Sequence, residues 1–474
     1  MNPENIRTNQ TENMPKEIET PEKIINVCQA VKDAGGQALI VGGWVRDKLL
    51  GLDSKDIDLE IFGLGKSKLE EALKKFGLTK EVGKTFGVYK IGDIDVALAR
   101  LETKTGEKHT DFEVKTSPAF TPEQTSRRRD FTVNALMYDP VRSEVLDFHN
   151  GLADLDKKIL RVVDEKTFIE DPLRVYRLAS LSSRLGFEVE PKTQATCQQM
   201  MPELKHLPKE RVSEEWKKIL LSPNPSKGLK ILEKLGILKQ YFPEIDQMIG
   251  AKQDPIYHPE GDVWTHTLLA LDYSASQKNK FTVRLATLLH DIGKPSQTEH
   301  KEDNRISHYK HESKEVAEPF IEQFLRRFSF NGIDNTKLRQ AVVNLVADHM
   351  TIIRLTKNLD DNQIIDRSLR RLSVRLSPAT LEQLIQLGQN DHTATQGEKD
   401  EFKGELLIER AQKLAVLDNQ PKPYLTGKDL IGAGLTPGPE FGKILGEAYE
   451  QQLDGKISDH SEALQWFQKS YPQS

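Results

Sequence analysis

The chain of 474 residues has little cysteine and no long apolar run. Its two cysteines, Cys28 and Cys197, exclude both a disulfide scaffold and a four-cysteine zinc site. No apolar stretch approaches the roughly 20 residues that a membrane helix requires. The polar residues 1–20 also lack the hydrophobic segment of a secretory signal. We therefore expect a cytoplasmic protein with no membrane contact.

The chain also has no excess of basic residues, since its net charge is −5. A global charge of this sign does not suggest a nucleic-acid partner, although it can conceal a local basic patch. Between Lys205 and Lys239, nine Lys and Arg residues stand against four Asp and Glu residues. This stretch fits either a solvated helix face or a surface that contacts an RNA backbone.

The pattern of apolar residues changes along the chain. Strand-like runs at 38–41, 56–61, 88–91 and 94–98 predict an α+β domain in the opening third, and helical periodicity predominates from about Leu152 onward. We expect five segments along the chain: a disordered tail at 1–20, the α+β domain at 21–150, a helical neck at 151–245, a second helical domain at 250–400 and a helical tail at 420–474.

A glycine pair stands between the first predicted strand and the next helix, in Gly42-Gly43-Trp44-Val45-Arg46-Asp47. Paired glycines let the backbone approach a ligand closely, and the free N–H groups of the helix then point at a phosphate. Arg46, about one turn into the helix, can add charge-assisted hydrogen bonds. Gly43 and Arg46 are thus predicted phosphate contacts.

Asp56 and Asp58 stand two residues apart on a predicted strand, so their side chains share one face. Adjacent carboxylates repel each other unless a cation lies between them, and Mg²⁺ prefers such oxygen ligands. Two ions roughly 3.5–4 Å apart would activate a hydroxyl nucleophile and neutralise a leaving pyrophosphate. A third carboxylate is expected on a neighbouring strand. Asp95 is the preferred candidate, and Asp93, which faces the opposite side of the sheet, is the alternative.

A second acidic and basic pair, Asp171 and Arg174, lies near the start of a helix that begins at Pro172. The pair fits a capping carboxylate with an intrahelical ion pair, but it also fits base recognition. Cytosine and adenine both present an amine donor beside a ring-nitrogen acceptor, whereas uracil and guanine invert that pattern. A carboxylate and an arginine could therefore accept C and A and reject U and G.

Four motifs in this order resemble those of the tRNA nucleotidyltransferases, or CCA-adding enzymes, of the bacterial and eukaryotic class. They are GG-x-V-R-D, D-x-D, the segment R-R-D-F-T-V-N-A-L from Arg128, and E-D-P-L-R-x-x-R from Glu170. The resemblance covers about residues 36–240. It implies an α+β nucleotidyltransferase domain of the polymerase-β-like type, followed by mostly α-helical neck, HD and tail domains. It also implies stepwise addition of C, C and A to the 3′ end of tRNA from CTP and ATP.

The resemblance assigns a role to each matching position. It makes Asp56, Asp58 and Asp95 the metal-binding and catalytic carboxylates. It implies that nucleotide-binding roles fall to Gly43, Arg46 and Arg129 for phosphate and ribose, Asp171 and Arg174 for base selection, and Arg177 for a further contact.

Histidines mark the second helical domain. His266, the pair His290-Asp291 and Asp391 resemble the HD phosphohydrolase pattern, in which H, HD and D share a divalent ion. This donor set suits Mn, Ni, Co, Fe or Zn without choosing among them, and metal-bound hydroxide would hydrolyse phosphoesters. Some CCA-adding enzymes with this domain hydrolyse phosphate monoesters and 2′,3′-cyclic phosphates. Three further histidines are interpreted as groove-lining or surface residues, with a second metal as the alternative: His308, His311 and His349.

Other functions remain open at this point. Bacterial poly(A) polymerase shares the core, but it typically carries a basic G-R-x-F-R-like stretch that residues 63–71 lack. An enzyme restricted to partial CC or A addition is a second alternative. A non-catalytic RNA-binding protein is the third. The sequence implies no protein partner.

Overall fold

In the computed structural model, the described part of the chain comprises residues 18–54, 56–80, 88–104, 112–301, 305–357 and 362–472. The expected disordered tail thus lies almost wholly outside the described residues. The chain divides into two compact units, residues 1–212 and 213–474. The finer domain boundaries expected from the sequence stay predictions. Among the helices described, none combines the length and apolar character needed to cross a membrane.

The first unit is built around a mixed sheet of seven strands in the order β3-β4-β5-β2-β1-β8-β9. Strands β6 and β7 form a separate antiparallel pair, and β10 and β11 a short parallel one. The strands are β1 Gln37–Val41, β2 Ile57–Phe62, β3 Thr79–Lys80, β4 Val88–Ile91, β5 Ile94–Leu98, β6 Arg100–Lys104, β7 Phe112–Thr116, β8 Met137–Asp139, β9 Glu144–Leu146, β10 Ile159–Leu160 and β11 Glu188–Val189.

Strand β2 runs from the surface into the core. It pairs antiparallel with β1 and parallel with β5. Asp58 near its start is exposed, whereas Leu59 and Ile61 are buried. The acidic residues therefore stand where the strand leaves the apolar interior.

Along the chain, helices alternate with the strands of the first unit and predominate after residue 150. They are α1 Glu22–Asp33, α2 Gly43–Leu49, α3 Lys66–Leu73, α4 Pro122–Ser126, α5 Gly151–Asp156, α6 Glu165–Phe168, α7 Leu173–Leu185, α8 Pro191–Gln199 and α9 Lys209–Leu221. Short 3₁₀ segments occur at Lys74–Phe76, Thr132–Asn134 and Met201–His206. The boundary between the two units falls inside α9.

The described part of the second unit is almost entirely helical. Its helices are α10 Pro225–Lys234, α11 Ile237–Tyr241, α12 Pro243–Asp246, α13 Val263–Ser276, α14 Phe281–Leu289, α15 Lys314–Leu325, α16 Asn335–Lys357, α17 Asn362–Arg375, α18 Leu381–Ala394, α19 Gly404–Lys413, α20 Gly427–Gly432, α21 Pro439–Leu453 and α22 His460–Ser470. Lys294–Gln297 is a 3₁₀ segment, and β12 Glu299–His300 and β13 Ile306–Ser307 form a hairpin.

An aromatic cluster contributes to the core of the second unit. The Trp216 ring lies 4.7 Å from that of Phe242 and 5.5 Å from those of Phe324 and Phe328, measured between centroids. Such contacts add to the burial of large apolar side chains. Helices α13, α14, α16 and α18 pack against one another as a second group.

The expected fold class, an α+β domain followed by helical segments, is confirmed. Helix α14 ends at Leu289, so His290 and Asp291 follow directly after it. Helix α16 continues past Asp348, and its buried face includes His349 and Ile352.

Candidate active sites

The acidic site lies on two adjacent strands. Asp58 on β2 is the register partner of Asp95 on the parallel strand β5, so the two side chains lie side by side on one face. Asp56 immediately precedes β2 on the same side and is exposed. Lys90 Nζ lies 3.2 Å from Asp95 Oδ1. Asp93 occupies the β4–β5 turn, so the geometry favours Asp95 as the third carboxylate.

Gly42 brings the backbone against this carboxylate group. Its φ is +81°, a conformation that residues with a Cβ rarely adopt. A Cβ there would lie 3.2 Å from Arg129 Nη1 and 3.9 Å from Asp58 Oδ2. The glycine turn, Asp58 and Arg129 therefore meet at one end of the sheet, and Gly43 opens α2 beside them.

Arg46 does not lie at the surface of this site. Its side chain is 3% exposed, its Nε and Nη2 donate to Asp47 Oδ1 at 2.9 and 2.6 Å, and its Nη1 donates to Asn134. Asp47 Oδ2 accepts from Arg184 Nη2 at 2.6 Å. In this structure Arg46 therefore links α2 to neighbouring segments, and its contact with a nucleotide phosphate stays a prediction.

Glu60 is a residue that the sequence reasoning missed. It is 4% exposed and accepts a hydrogen bond from Arg129 Nη2 at 3.3 Å, while Arg128 Nη2 lies 4.0 Å away. It therefore holds Arg129 close to Gly42. The signal was present, because Glu60 continues the period-two acidic pattern of Asp56 and Asp58 on the same face.

Asp171 and Arg174 are each held by other segments of the first unit. Asp171 Oδ1 accepts from Leu173 N at 3.1 Å, as a cap of α7, and Oδ2 accepts from Arg211 Nη2 at 3.0 Å. Arg174 donates to the carbonyls of Thr167 at 2.6 Å and Arg128 at 2.7 Å. These bonds fix the orientation of both side chains. No spacing in the sequence signalled the partner Arg211, which stands 40 residues beyond Asp171.

Arg177 is the anchor of a buried aspartate. Its Nε and Nη2 donate to Asp130 Oδ2 at 2.8 and 2.6 Å. Burial opposes the charge of Asp130, but Arg177 and the Asn134 amide outweigh it and lower its pKa to about 2. The segment 127–130, which carries Asp130, is therefore joined to α7 by an ion pair that stays charged at neutral pH.

The four predicted members of the histidine site come together in the second unit. His266 Nε2 lies 3.0 Å and His290 Nε2 lies 3.7 Å from Asp391 Oδ1. His290 Nε2 also lies 3.2 Å from Asp291 Oδ2. All four residues are buried. Asp391, which nothing periodic located in the sequence, lies in the last turn of α18.

A second group adjoins the first through Asp291. Its other oxygen, Oδ1, lies 3.1 Å from His311 Nε2 and 4.0 Å from His349 Nε2. His311 and His349 are 6% and 0% exposed, so interpreting these two as surface residues is wrong, whereas His308 and His311 line a cavity, as the groove-lining interpretation expected. His266, His290 and Asp391 form one group of candidate ligand atoms within 4.8 Å of one another, and Asp291, His311 and His349 form another.

The orientation of the rings shows which nitrogen faces the cluster. Nδ1 of His290, His311 and His349 donates to the carbonyl three residues earlier, at 2.8, 2.9 and 2.7 Å. A ring that carries its proton on Nδ1 alone presents Nε2 as an acceptor, beside the carboxylate oxygens of Asp291, which are acceptors as well. The described residues supply no hydrogen bond to these Nε2 atoms. Imidazole nitrogens and carboxylate oxygens that face one another in the interior, with no N–H or O–H between them, form a ligand set that suits a divalent cation.

Electrostatics distinguishes the rings. Burial opposes charge on His266, but bonds to Asp391 and Glu260 outweigh it and raise its pKa to about 9. For His349, burial and the nearby His311 and His290 lower the pKa to about 4. Without a bound cation, His266 is therefore protonated at neutral pH, and His349 is not.

A cavity of about 320 Å³ opens onto this cluster. Lys294, 7% exposed, donates from Nζ to Gln253 Oε1 at 2.7 Å, and the same Nζ forms an ion pair with Asp291 Oδ2 at 2.7 Å. Met350 and Ile353 provide apolar wall, and Tyr257 is half-exposed at the cavity. A volume of this size lies at the lower end of the range of small-molecule sites.

Three known families match successive parts of the chain. Residues 38–161 match the poly A polymerase head domain, and residues 186–249 match the probable RNA and SrmB-binding site of polymerase A. Residues 263–418 match the HD domain. The order of these matches follows the order of the acidic and histidine sites.

Two curated relatives, each called multifunctional CCA protein, are similar over about half of the chain. That of Halorhodospira halophila is 39% identical over 262 residues, which cover 54% of this chain and 61% of the relative. That of Methylobacillus flagellatus is 38% identical over 273 residues, which cover 56% and 65%. The chain therefore spans less than two thirds of the length of these relatives.

Solved structures show a similar fold. The Bacillus stearothermophilus CCA-adding enzyme in complex with CTP gives a TM-score of 0.64 at 23% identity, covering 95% of this chain and 98% of that one. The Thermotoga maritima CCA-adding enzyme complexed with tRNA gives 0.57 at 19% identity, covering 95% and 96%. At these identities the solved structures confirm the fold, and the resemblance to CCA-adding enzymes with an HD domain is confirmed by the family matches and the two curated relatives.

Proposed function

We propose that this chain adds C, C and A to the 3′ end of tRNA from CTP and ATP without a template. The observation that carries the proposal is the register pairing of Asp58 with Asp95, beside the glycine turn and Arg129. The multifunctional CCA proteins support the same activity by their similarity. The match at 186–249 and the basic stretch 205–239 support tRNA as the partner.

The residues of the acidic site fit a pair of hard cations. Asp56, Asp58 and Asp95 offer oxygen ligands from one side of the sheet, which suits Mg²⁺. When bound, Mg²⁺ would activate the terminal hydroxyl of the RNA and neutralise the pyrophosphate that leaves. The chain itself holds the three carboxylates in place, and Gly42, Gly43 and Arg129 receive the triphosphate beside them.

Base selection falls to the start of α7 in this proposal. The carboxylate of Asp171 accepts the exocyclic amine of C or A, and Arg174 donates to the ring nitrogen. Arg177 adds a further nucleotide contact. Two N–H groups of Arg174 are bonded to carbonyls, which fixes the plane of its guanidinium. U and G leave a buried donor or acceptor unpaired in such a pocket, and this is costly.

The histidine cluster supports a second activity, the hydrolysis of phosphate monoesters and 2′,3′-cyclic phosphates. His266, His290 and Asp391 would hold one divalent ion, Asp291 with His311 and His349 a second, and Mn, Ni, Co, Fe and Zn all suit these ligands. Such an ion would supply hydroxide at neutral pH. Lys294 lies where it can bind a phosphoryl oxygen as well as Asp291.

A cytoplasmic location belongs to the same proposal. Cys28 and Cys197 are both buried free thiols, as is usual in a reducing compartment.

An extension assay tests the first activity. A tRNA transcript that lacks its 3′ CCA is incubated with CTP, with ATP and with both. We expect two residues from CTP alone and three residues, with no further growth, from both nucleotides. A long A ladder would instead identify a poly(A) polymerase, arrest after CC a partial enzyme, and binding without extension a non-catalytic RNA-binding protein.

A hydrolysis assay tests the second activity. The full-length protein is incubated with bis(p-nitrophenyl) phosphate and each of several divalent metals. We expect release of nitrophenol with at least one transition metal. Failure with all of them, with the cluster intact, would remove the phosphohydrolase from the proposal without touching nucleotide addition.

A further inference from the structure

Glu260 is a buried carboxylate that no step of the proposed chemistry uses. It lies before α13, and its side chain is 1% exposed. Its Oε1 accepts from His266 Nδ1 at 2.8 Å and from His258 Nδ1 at 2.9 Å, and its Oε2 accepts from Gln396 N at 3.1 Å. A buried charge with this many donors is fixed in position.

His266 differs from the other three rings in the partner of Nδ1. His290, His311 and His349 donate to a backbone carbonyl three residues earlier. The corresponding carbonyl for His266 belongs to Val263, and it accepts from Thr267 Oγ1 at 2.8 Å. Of these four rings, His266 is thus the one whose orientation depends on a side chain.

Glu260 also joins the two segments that carry His266 and Asp391. Asp391 lies in the last turn of α18, and Gln396, whose N–H bonds to Glu260 Oε2, follows five residues later. Two further backbone bonds, from Gly397 N to Tyr257 O and from Glu398 N to Ile256 O, both 3.2 Å, tie the same segments together. Glu260 is the charged member of this junction.

We infer that Glu260 is a positioning residue, whose carboxylate holds a proton on Nδ1 of His266 and thereby aims Nε2 of that ring at the ion beside His290 and Asp391. A carboxylate partner also makes the imidazole a more basic ligand than a carbonyl does. The inference rests on the proposed phosphohydrolase site. It assigns Glu260 to the first of the two ion positions and gives it no role in the group of Asp291, His311 and His349.

Cobalt binding without turnover tests this inference. Co²⁺ alone is titrated into the full-length Asp58→Asn protein, whose acidic site is impaired, and its visible absorption reports coordination by imidazole and carboxylate. Glu260→Gln in that background is expected to bind one cobalt equivalent roughly 10- to 100-fold more weakly, since losses of this size follow removal of such partners. The second equivalent should bind as before.

Two further variants keep the test decisive. Glu260→Asp retains the charge and should lose less affinity than Glu260→Gln, and it replaces that variant if circular dichroism shows that the glutamine form does not fold. Asp429→Asn is the matched control, because it removes a carboxylate that contacts His460 at 2.9 Å and lines no part of the cavity. Its cobalt affinity should equal that of the background protein.

The outcomes separate the inference from the proposed function. A folded Glu260 variant that binds both cobalt equivalents as tightly as the background protein overturns the inference and leaves the phosphohydrolase standing. A background protein whose cobalt binding is unchanged by His290→Ala does not use the histidine cluster for metal. That result overturns both.

Discussion

The acidic site and the histidine site hold their carboxylates in opposite surroundings. Asp56 and Asp58 are exposed, and the side chain of Asp95 is 34% exposed beside Lys90. In the histidine site, Asp291 and Asp391 are 1% and 7% exposed. An exposed carboxylate keeps its charge through water, whereas a buried one keeps it only if the protein supplies a partner.

In the histidine site, positively charged partners keep the buried carboxylates ionised. Burial favours the protonated form of Asp291, yet His290 and Lys294 hold its pKa well below the usual range. His266 and His290 do the same for Asp391. The histidine site is therefore already assembled by the protein, while the carboxylates of the acidic site are open to solvent, which in the proposed function leaves room for nucleotide phosphates. Four substitutions test this difference between the two sites and the contacts around them.

The largest effect is expected from Asp58→Ala. Loss of a carboxylate from the proposed Mg²⁺ site removes most of the charge stabilisation of the reacting phosphate, so CCA addition should fall by roughly 10³-fold or more. Hydrolysis of bis(p-nitrophenyl) phosphate by the same preparation should not change. Extension of a tRNA lacking CCA measures the first quantity. Retention of addition within tenfold would mean that the carboxylates are structural.

The reciprocal change is His290→Ala. It removes a candidate ligand at the centre of the cluster, and hydrolysis should fall by roughly 10²-fold or more. CCA addition should stay near the wild-type rate. Parallel assays of both activities on one protein sample measure the two effects. Equal losses of both activities would show a general folding defect in place of two separate sites.

A smaller effect is expected at the start of α7. Asp171→Ala removes the acceptor for the amine of C or A, so the preference for CTP over UTP should fall by roughly 10- to 100-fold. Incorporation from competing CTP and UTP, followed by sequencing of the tRNA ends, measures it. Arg211→Lys should relax selection less, because Arg211 bonds to Asp171 and its replacement leaves the Asp171 carboxylate in place. Unchanged selectivity in Asp171→Ala would place base recognition elsewhere.

The smallest effect concerns stability. The pKa of Asp130 falls from 3.8 to about 2 on folding, which corresponds to about 2 kcal/mol of stability at neutral pH. Because the folded pKa is the lower one, this stability is present above pH 4 and is lost as the pH falls towards 2. Urea unfolding monitored at several pH values should show Asp130→Asn to be less stable and less sensitive to acid in that range. A mutant curve parallel to that of the wild type would contradict the assignment.

Local patterns in the sequence predict much of the fold. They also identify the motif residues of each site, such as Asp56 and Asp58 in one and His290 and Asp291 in the other. Strands β4 and β5 have the predicted bounds, because apolar periodicity is strong there. The register of Asp58 with Asp95 depends on strand pairing between distant segments. The sequence alone therefore left Asp93 as an alternative third carboxylate. Glu260 and Arg211 were missed because contacts across 6 and 40 residues, with His266 and Asp171, follow no periodic pattern.

Anomalous diffraction from a crystal soaked with Mn²⁺ and CTP tests the contrast between the two sites most directly. We expect manganese among Asp56, Asp58 and Asp95, in contact with the triphosphate, and separate manganese at the histidine cluster without nucleotide. A triphosphate bound away from a metal-free carboxylate trio would contradict it.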